Sequence, residues 1–252
     1  YLDYLQRRGI TPNIASFVGA TTVRIHELGE GDIQPTPVQL ARMQDEVRAA
    51  MHEGALGIGA SIIYAPASYA KTAELTALAN AAAESGGGYV AHMRSEANGL
   101  QDALDETIGI ARATKQHTEV YHLKAAGERN WPKMAQAIAS IDGARAQGLD
   151  VAADMYAYTA GATGLDASIP PWVQAGGREA LNQRLRDPKT RARVIADMKD
   201  PNAGWENLRL QAGSPERVLF IGFKSEKLKP LIGRTAISTV PPSSIRTPSR
   251  SR

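Results

Sequence analysis

The sequence contains no cysteine, and only 6% of its residues are aromatic. Without thiols there is no disulfide framework and no thiolate zinc finger, so any metal must be held by His, Asp, Glu or a modified lysine. No window approaches the roughly eighteen apolar residues of a membrane-spanning helix. The start, YLDYLQRRGI, lacks the basic-then-apolar layout of a signal peptide. We therefore expect a globular, cytoplasmic chain with no membrane partner.

Acidic residues are missing from the last nineteen positions, RTAISTVPPSSIRTPSRSR, which carry four arginines. The whole chain has a net charge of +3, and without this stretch the charge is −1. The body of the chain is therefore near neutral, and it has no basic stripe with interleaved aromatics, which argues against a nucleic-acid partner. Residues 236–252 are predicted to be a non-native or disordered basic tail.

Two common catalytic motifs are absent as well. There is no phosphate-binding Gly-x-x-x-x-Gly-Lys-Ser/Thr loop and no Gly-x-Ser-x-Gly elbow of a serine hydrolase. Short apolar runs instead alternate with longer amphipathic ones, which predicts βα units and a parallel sheet. The predicted strands lie at 14–19, 55–61, 88–92, 119–123, 149–155 and 217–223. Six strands are fewer than the eight that close a barrel.

The alternation loosens after about residue 160. A Pro-Pro-Trp loop leads there into segments rich in arginine and aspartate. This pattern predicts an inserted or elaborated helical segment at about 165–215. We expect residues 1–235 to form one α/β unit that includes this segment.

Two predicted strands end on a histidine: YVAHMRSE places His92 at a strand end, and VYHLKAAG does the same for His122. Carboxyl ends of parallel strands converge, and imidazoles bind zinc, so the pair indicates a metal site, although each histidine could also satisfy a local hydrogen bond. Arg94 and Lys124 follow at matching offsets. A lysine here could pair with a substrate carboxylate or be an ordinary surface residue.

Further polar residues lie just after predicted strands. Tyr64 and Tyr156 are candidates for a binding site, with packing under a loop as the alternative for both. Asp154 could be a ligand, a base or the cap of a turn. The remaining histidines, His26, His52 and His117, are expected to be exposed to solvent.

Several longer strings resemble one family, the N-acyl-D-amino-acid deacylases (D-aminoacylases) of the amidohydrolase superfamily. The resemblance runs from about residue 11 to about residue 233, and the specific part is AHMRSE together with HLKAAG. It also rests on these strings: GALGIGASIIYAPASYAKTAEL, GLDVAADMYAYTAGATGLDASIPPW and ERVLFIGF. The resemblance implies a metal-dependent (βα)8 TIM-type barrel with a small β-domain that hydrolyses the amide of N-acyl-D-amino acids.

The resemblance also implies roles for individual residues. His92 and His122 would be zinc ligands, and Lys124, Tyr64 and Tyr156, with Arg94 beside them, would bind the substrate. Zinc lowers the pKa of water and polarises a carbonyl. The family's general base is an aspartate at the last barrel strand, so no catalytic residue is assigned within this chain.

The chain departs from the family pattern in three respects. The family's first-strand His-x-His and bridging cysteine would lie upstream, and its catalytic aspartate downstream. Ala20 and Ala162 stand where members often have histidine and serine. We therefore expect an incomplete barrel, lacking the first and last strands, with little turnover of its own. The alternatives are an amidohydrolase acting on cyclic amides or N-acyl dipeptides, or a non-catalytic metal- or carboxylate-binding remnant.

Overall fold

The computed structural model describes residues 2–239, and its centre is a five-stranded parallel sheet. The strands follow one another in the sheet in chain order, each hydrogen-bonded to the next. They are β1 (Val18–Gly19), β2 (Gly57–Ser61), β3 (Gly88–His92), β4 (Thr118–Val120) and β5 (Val151–Ala153). A doubly wound sheet reverses its strand order at a switch point, whereas a barrel wall does not. The sheet is therefore compatible with part of a (βα)8 barrel.

Helices connect the strands and pack on them, α4 against β2 and β3, α5 against β4 and α6 against β5. The first six helices are α1 (Leu2–Arg8), α2 (Ala20–Leu28), α3 (Pro37–His52), α4 (Thr72–Ala83), α5 (Leu100–Thr114) and α6 (Met134–Ala146). A capping box starts α3, in which the hydroxyl of Thr36 accepts from the backbone of Gln39 and the Gln39 side chain accepts from the backbone of Thr36. These caps satisfy backbone groups that the first helical turn leaves free.

The contact between β2 and β3 depends on a glycine. Gly57 has a φ of 147°, and a Cβ added there would lie 2.1 Å from the carbonyl oxygen of Gly88. Only glycine permits both this backbone conformation and this close approach. The register of the two strands, which pairs Ser61 with His92, therefore depends on Gly57.

The core fills the space between the sheet and its helices. Side chains on α3, α4 and α5, including Met43, Leu78 and Leu104, are fully buried against the strands. The β3 residues Tyr89 and Ala91 are fully buried as well, whereas His92 lies on the other face of that strand. The helices thus cover one face of β3, and His92 is presented on the opposite face.

After β5, the described chain contains short helices joined by loops, with a second and much smaller apolar cluster. Up to residue 239, four short α-helices follow β5: α7 (Pro171–Gln174), α8 (Gly177–Arg186), α9 (Pro188–Asp197) and α10 (Leu208–Ala212). Val173, Leu181 and Val194 are the buried residues of their cluster. The predicted division of the chain into residues 1–235 and a tail stays a prediction.

The sixth predicted strand, 217–223, is wrong as a member of the sheet. Leu219 forms an isolated antiparallel bridge with Thr235, because the turn Glu226–Leu231 folds the chain back on itself. Phe220 donates to the carbonyl of Arg234 and accepts from Gly233. The apolar run meets a local partner, so Leu219 and Ile221 remain exposed.

Between residues 2 and 239, no helix combines the length and the apolar character needed to cross a membrane. Of the predicted tail, residues 236–239 end in a short 3-10 turn (Ile237–Thr239), and 240–252 lie outside the described residues.

Candidate metal centre

Strand β3 carries His92 at its last position. The imidazole is mostly buried, with 12% of its side chain exposed. Its Nε2 atom is inaccessible to solvent and has no hydrogen-bond partner among the described residues. A buried polar nitrogen without a partner is uncommon and costs free energy unless something else binds it.

His122 lies two residues beyond β4, in a left-handed backbone conformation with a φ of 45°. This conformation is unusual for residues other than glycine and needs support from its surroundings. Asp154, directly after β5, supplies that support: its Oδ1 accepts from the His122 amide at 2.6 Å, and its carbonyl accepts from Leu123 at 2.8 Å. Asp154 thus holds the turn that presents His122.

Glu96 brings a carboxylate to the two histidines from the loop after β3. Its Oε1 lies 2.9 Å from His122 Nδ1 and 3.9 Å from His92 Nε2. The two imidazole rings meet edge to face, with centroids 4.4 Å apart. One ligand atom from each of the three residues lies within 4.8 Å of the others. Two strand ends and one loop therefore bring together a set of two nitrogens and one oxygen.

This donor set suits a metal ion. Burial first, and then the charges of His122 and Lys124, lower the pKa of His92 from 6.5 to about 3. The pKa of His122 is lowered too, mainly by burial. Both imidazoles are therefore neutral at pH 7, which is the form that binds metals. Imidazole and carboxylate are established zinc ligands, and three protein ligands leave a fourth position for another group.

Lys124 places a positive charge beside this set. Its Nζ lies 2.6 Å from Glu96 Oε1 and 2.8 Å from His122 Nδ1. Burial raises the pKa of Glu96 to about 7; the lysine opposes that rise and the charge of Glu206 adds to it. The ammonium group and the candidate ligands thus form one compact polar cluster.

One tyrosine ring lies near each histidine. The Tyr64 ring is 5.3 Å from the His92 ring, and its hydroxyl lies 2.9 Å from Thr163 Oγ1. The Tyr156 ring is 6.2 Å from the His122 ring, and Lys124 Nζ lies 5.3 Å above it. Burial raises the pKa of Tyr156, so its hydroxyl stays protonated at neutral pH.

Arg94 lies outside this cluster, although its offset from His92 matches the offset of Lys124 from His122. Its guanidinium binds both carboxylate oxygens of Glu106 at 2.9 Å and donates to the carbonyls of Ser68 and Ala70. These contacts hold the loop between β2 and α4, which carries Tyr64. The substrate-binding role predicted for Arg94 stays a prediction, and its observed partners belong to this loop and to α5.

The other residues singled out in the sequence lie elsewhere. His26, His52 and His117 are exposed, as expected. Ala20 is buried at the start of α2, and Ala162 is exposed in the loop after β5.

Sequence reasoning missed Glu96 and Glu206. Glu206 is buried and accepts from the Ser95 hydroxyl at 2.5 Å and from the Glu96 amide at 3.1 Å. Glu96 follows His92 by four positions in the string HMRSE, which was a signal that could have been used. Nothing local points to Glu206, because it comes from 110 residues further along the chain.

Comparison with known proteins shows relatives of one kind. No protein-family model matches the chain. It is 33% identical over 163 residues to N-acyl-D-glutamate deacylase of Alcaligenes xylosoxydans xylosoxydans, covering 65% of this chain and 33% of the relative. It is 33% identical over 215 residues to D-aminoacylase of the same organism, covering 81% of this chain and 44% of the relative.

The chain is also similar to a solved structure of a protein of the same kind. N-acyl-D-glutamate deacylase from Bordetella bronchiseptica, complexed with zinc and a phosphonate inhibitor that mimics the tetrahedral intermediate, superposes with a TM-score of 0.60 at 35% identity. The match covers 62% of this chain and 33% of that one. The chain thus spans between a third and less than half of the length of the proteins it matches.

Proposed function

We propose that this chain, a homologue of the N-acyl-D-amino-acid deacylases over part of their length, contributes the zinc-binding and substrate-binding wall of an enzyme that hydrolyses the amide bond of N-acyl-D-amino acids. The observation that carries this proposal is the convergence of His92, Glu96 and His122 within 4.8 Å. The substrate class comes from the relatives.

His92, Glu96 and His122 would hold the zinc ion. The unpaired Nε2 of His92 is available to it, and both imidazoles are neutral, which is the form that binds a metal. A zinc ion bound there would supply Lewis acidity, which would polarise an amide carbonyl and lower the pKa of bound water to about 7. Asp154 keeps the His122 backbone in place, so it acts as a positioning residue and not as a ligand.

Lys124 and Tyr156 would bind the carboxylate of the substrate. The ammonium group is the cation nearest to the candidate ligands, and a carboxylate can replace Glu96 as its partner. The protonated Tyr156 hydroxyl can donate a hydrogen bond to the same group. Tyr64 would contact the substrate from beside His92, since its ring is 5.3 Å from the His92 ring.

Arg94 would act through the loop that it binds. Its four hydrogen bonds to Glu106, Ser68 and Ala70 fix the turn after β2, and Tyr64 belongs to that turn. We therefore propose a positioning role for Arg94. The ligand of the protein is a small molecule under this proposal, and the cytoplasmic location stays a prediction.

Metal content tests the proposal directly. The chain is dialysed against zinc and then against buffer, and the zinc in a monodisperse fraction is measured by atomic emission. We expect about one zinc ion per chain for the parent and little for the His92→Ala, His122→Ala double variant, since two of three ligands are then lost.

The matched control removes two histidines that face solvent. His26→Ala, His52→Ala makes the same chemical change and should leave zinc content unaltered. Equal zinc in all three proteins, or none in the parent, would contradict the metal site. Near-ultraviolet circular dichroism of each variant checks that folding is preserved.

A further inference from the structure

Glu206 is a buried glutamate to which the proposed function gives no role. It comes from the stretch between α9 and α10, and only 8% of its surface is exposed. A buried carboxylate is rare unless hydrogen bonds or charges compensate for its lost hydration. Both hydrogen bonds of the Glu206 carboxylate come from the loop between β3 and α5, which is the loop that carries Glu96.

The Glu206 carboxylate organises the backbone of this loop. Its Oε1 accepts from the Glu96 amide at 3.1 Å, and its Oε2 accepts from the Ser95 hydroxyl at 2.5 Å. The Ser95 oxygen in turn accepts from the amides of Ala97 at 3.3 Å and Gly99 at 3.1 Å. A Cβ added to Gly99 would lie 3.2 Å from Ser95 Cβ, so the loop winds closely around this hydroxyl. One carboxylate thus binds three amides of the loop, directly or through Ser95.

The peptide groups of Glu96 are held on both sides. Its amide donates to Glu206, and its carbonyl accepts from the Ala126 amide at 2.7 Å, in the loop that also carries His122. With the backbone fixed, only the side-chain torsions of Glu96 remain to be ordered. Fewer conformations are then lost when its carboxylate joins the histidines around a metal ion, which favours binding.

The backbone of His122 is held in the same way. Its amide donates to Asp154 Oδ1 at 2.6 Å. His92 needs no such support, because it ends a regular strand and is paired in register with Ser61. Each candidate ligand that lies outside a strand therefore has its amide bound by a carboxylate from a later part of the chain.

Glu206 is itself held in place by the residue that follows it. Asn207 is 6% exposed, and its Nδ2 donates to the carbonyl of Met198 at 3.1 Å. Its Oδ1 accepts from the Leu210 amide at 3.3 Å, which caps the start of α10. The buried Asn207 thus fixes the backbone beside Glu206, so the carboxylate has a defined place to bind the loop.

We infer that Glu206 is a positioning residue of the metal centre and acts through Glu96. It holds the loop after β3 so that the Glu96 carboxylate reaches both histidines, and zinc affinity therefore depends on a residue of the segment after β5. The inference rests on the proposed function and adds a residue to the support of its metal site.

Zinc affinity of two variants tests the inference, measured by titration in competition with a chromophoric chelator. Glu206→Ala should weaken zinc binding roughly 10–100-fold, the usual loss when an outer partner of a metal ligand is removed. Glu206→Gln should weaken it less, because its amide oxygen can still accept from the Glu96 amide. Equal losses in the two variants would show that the charge of Glu206 matters and its contact does not, which would overturn the inference.

A double-mutant cycle separates positioning from a general structural role. In a chain that already carries Glu96→Ala, neither Glu206 variant should weaken zinc binding further, because no carboxylate is left to position. Losses as large as those in the parent would overturn the inference, since Glu206 would then act on the histidines or on the whole fold. Near-ultraviolet circular dichroism checks folding, and the nearly isosteric glutamine variant decides the cycle if the alanine variant is poorly folded.

The matched control is Glu179→Ala, which removes a glutamate from an exposed position of α8 in the same part of the chain. It should leave zinc affinity unaltered. Zinc binding by the parent that is unchanged in Glu206→Ala would overturn the inference and leave the proposed function standing. Failure of the parent to bind zinc would overturn the proposed function together with the inference.

Discussion

The part of the chain up to β5 and the part after it are built in different ways. Up to β5, strands and helices share one continuous core that runs from Ala20 to Val151. After β5, the buried cluster has three members, and side chains such as Met155 and Tyr158 are about four-fifths exposed. The first part places His92 at the end of a closely packed strand, whereas the turn that carries His122 is held by Asp154, the first residue after β5. The second part is packed far less closely, as is usual for connecting segments at the surface of a domain.

A few polar contacts join the two parts near the metal centre. Tyr64 contacts Thr163, the Tyr69 hydroxyl donates to the carbonyl of Pro171 at 2.6 Å, and Glu206 accepts from residues 95 and 96. Each such hydrogen bond contributes only about 1 kcal/mol. The segment after β5 is therefore easier to displace than the strands it covers.

The largest expected change in the free energy of unfolding tests the difference in packing between the two parts of the chain. Leu104 is fully buried in the first core, and Leu181 is 7% exposed in the second cluster. We expect Leu104→Ala to lower the free energy of unfolding by about 3–5 kcal/mol, and Leu181→Ala by about 2 kcal/mol or less, because a small cluster can close around the missing atoms. Urea unfolding followed by circular dichroism measures both. Similar losses at the two positions would show that the two parts are packed equally well.

An intermediate loss of stability is expected when one of two bidentate ion pairs is weakened. Arg94 binds Glu106, which is mostly buried, and Arg48 binds Glu84 in the same bidentate manner on the surface. Glu106→Gln should lower stability by about 1–2 kcal/mol, because it weakens the buried network that holds the Tyr64 loop. Glu84→Gln should lower the stability less, and this loss should disappear in high salt, because salt screens an exposed ion pair.

Urea unfolding at low and high salt distinguishes these two glutamates. If the loss of unfolding free energy in Glu106→Gln vanished at high salt, the Arg94–Glu106 pair would behave as an exposed surface pair. The Tyr64 loop would then need another support.

The smallest expected change in unfolding free energy concerns Tyr69, whose hydroxyl joins the two parts of the chain. Burial raises the pKa of its hydroxyl to about 12. Between pH 10 and 12 the folded chain keeps a proton that the unfolded chain loses, so this contribution is complete below pH 10 and is lost as pH rises. Tyr69→Phe should cost about 1 kcal/mol at pH 8 and less at pH 11.

Unfolding free energies at the two pH values measure this change. Tyr4→Phe, at an exposed tyrosine of α1, is the control and should show no such dependence. An identical cost of Tyr69→Phe at both pH values would mean that the hydroxyl titrates normally.

Much of the sheet could be predicted from the sequence. The strand 88–92 has the predicted bounds, and four others were placed with ends that differ by a few residues. These runs are apolar because the strands are buried, which is a local signal. The run 217–223 is equally apolar, but its partner is the chain around Thr235. Local composition cannot distinguish a sheet partner from a hairpin partner.

The site was predictable in part, and the matching offsets of Arg94 and Lys124 were misleading. His92 belongs to a strand, whereas His122 lies beyond β4 with a left-handed backbone. The residue two positions further on therefore points differently in each case, and only Lys124 reaches Glu96. Periodicity assumes a regular backbone, so it fails where a turn intervenes.

The left-handed backbone at His122 also limits how the site can be redesigned. Among residues with a side chain, asparagine and aspartate adopt this conformation most readily, and β-branched residues are excluded. A library that exchanges this ligand to change metal preference should therefore contain aspartate and asparagine, and it gains nothing from threonine or valine. At His92, which ends a regular strand, no such restriction applies. Metal selectivity is thus best explored at His92 with a wide set of residues and at His122 with a narrow one.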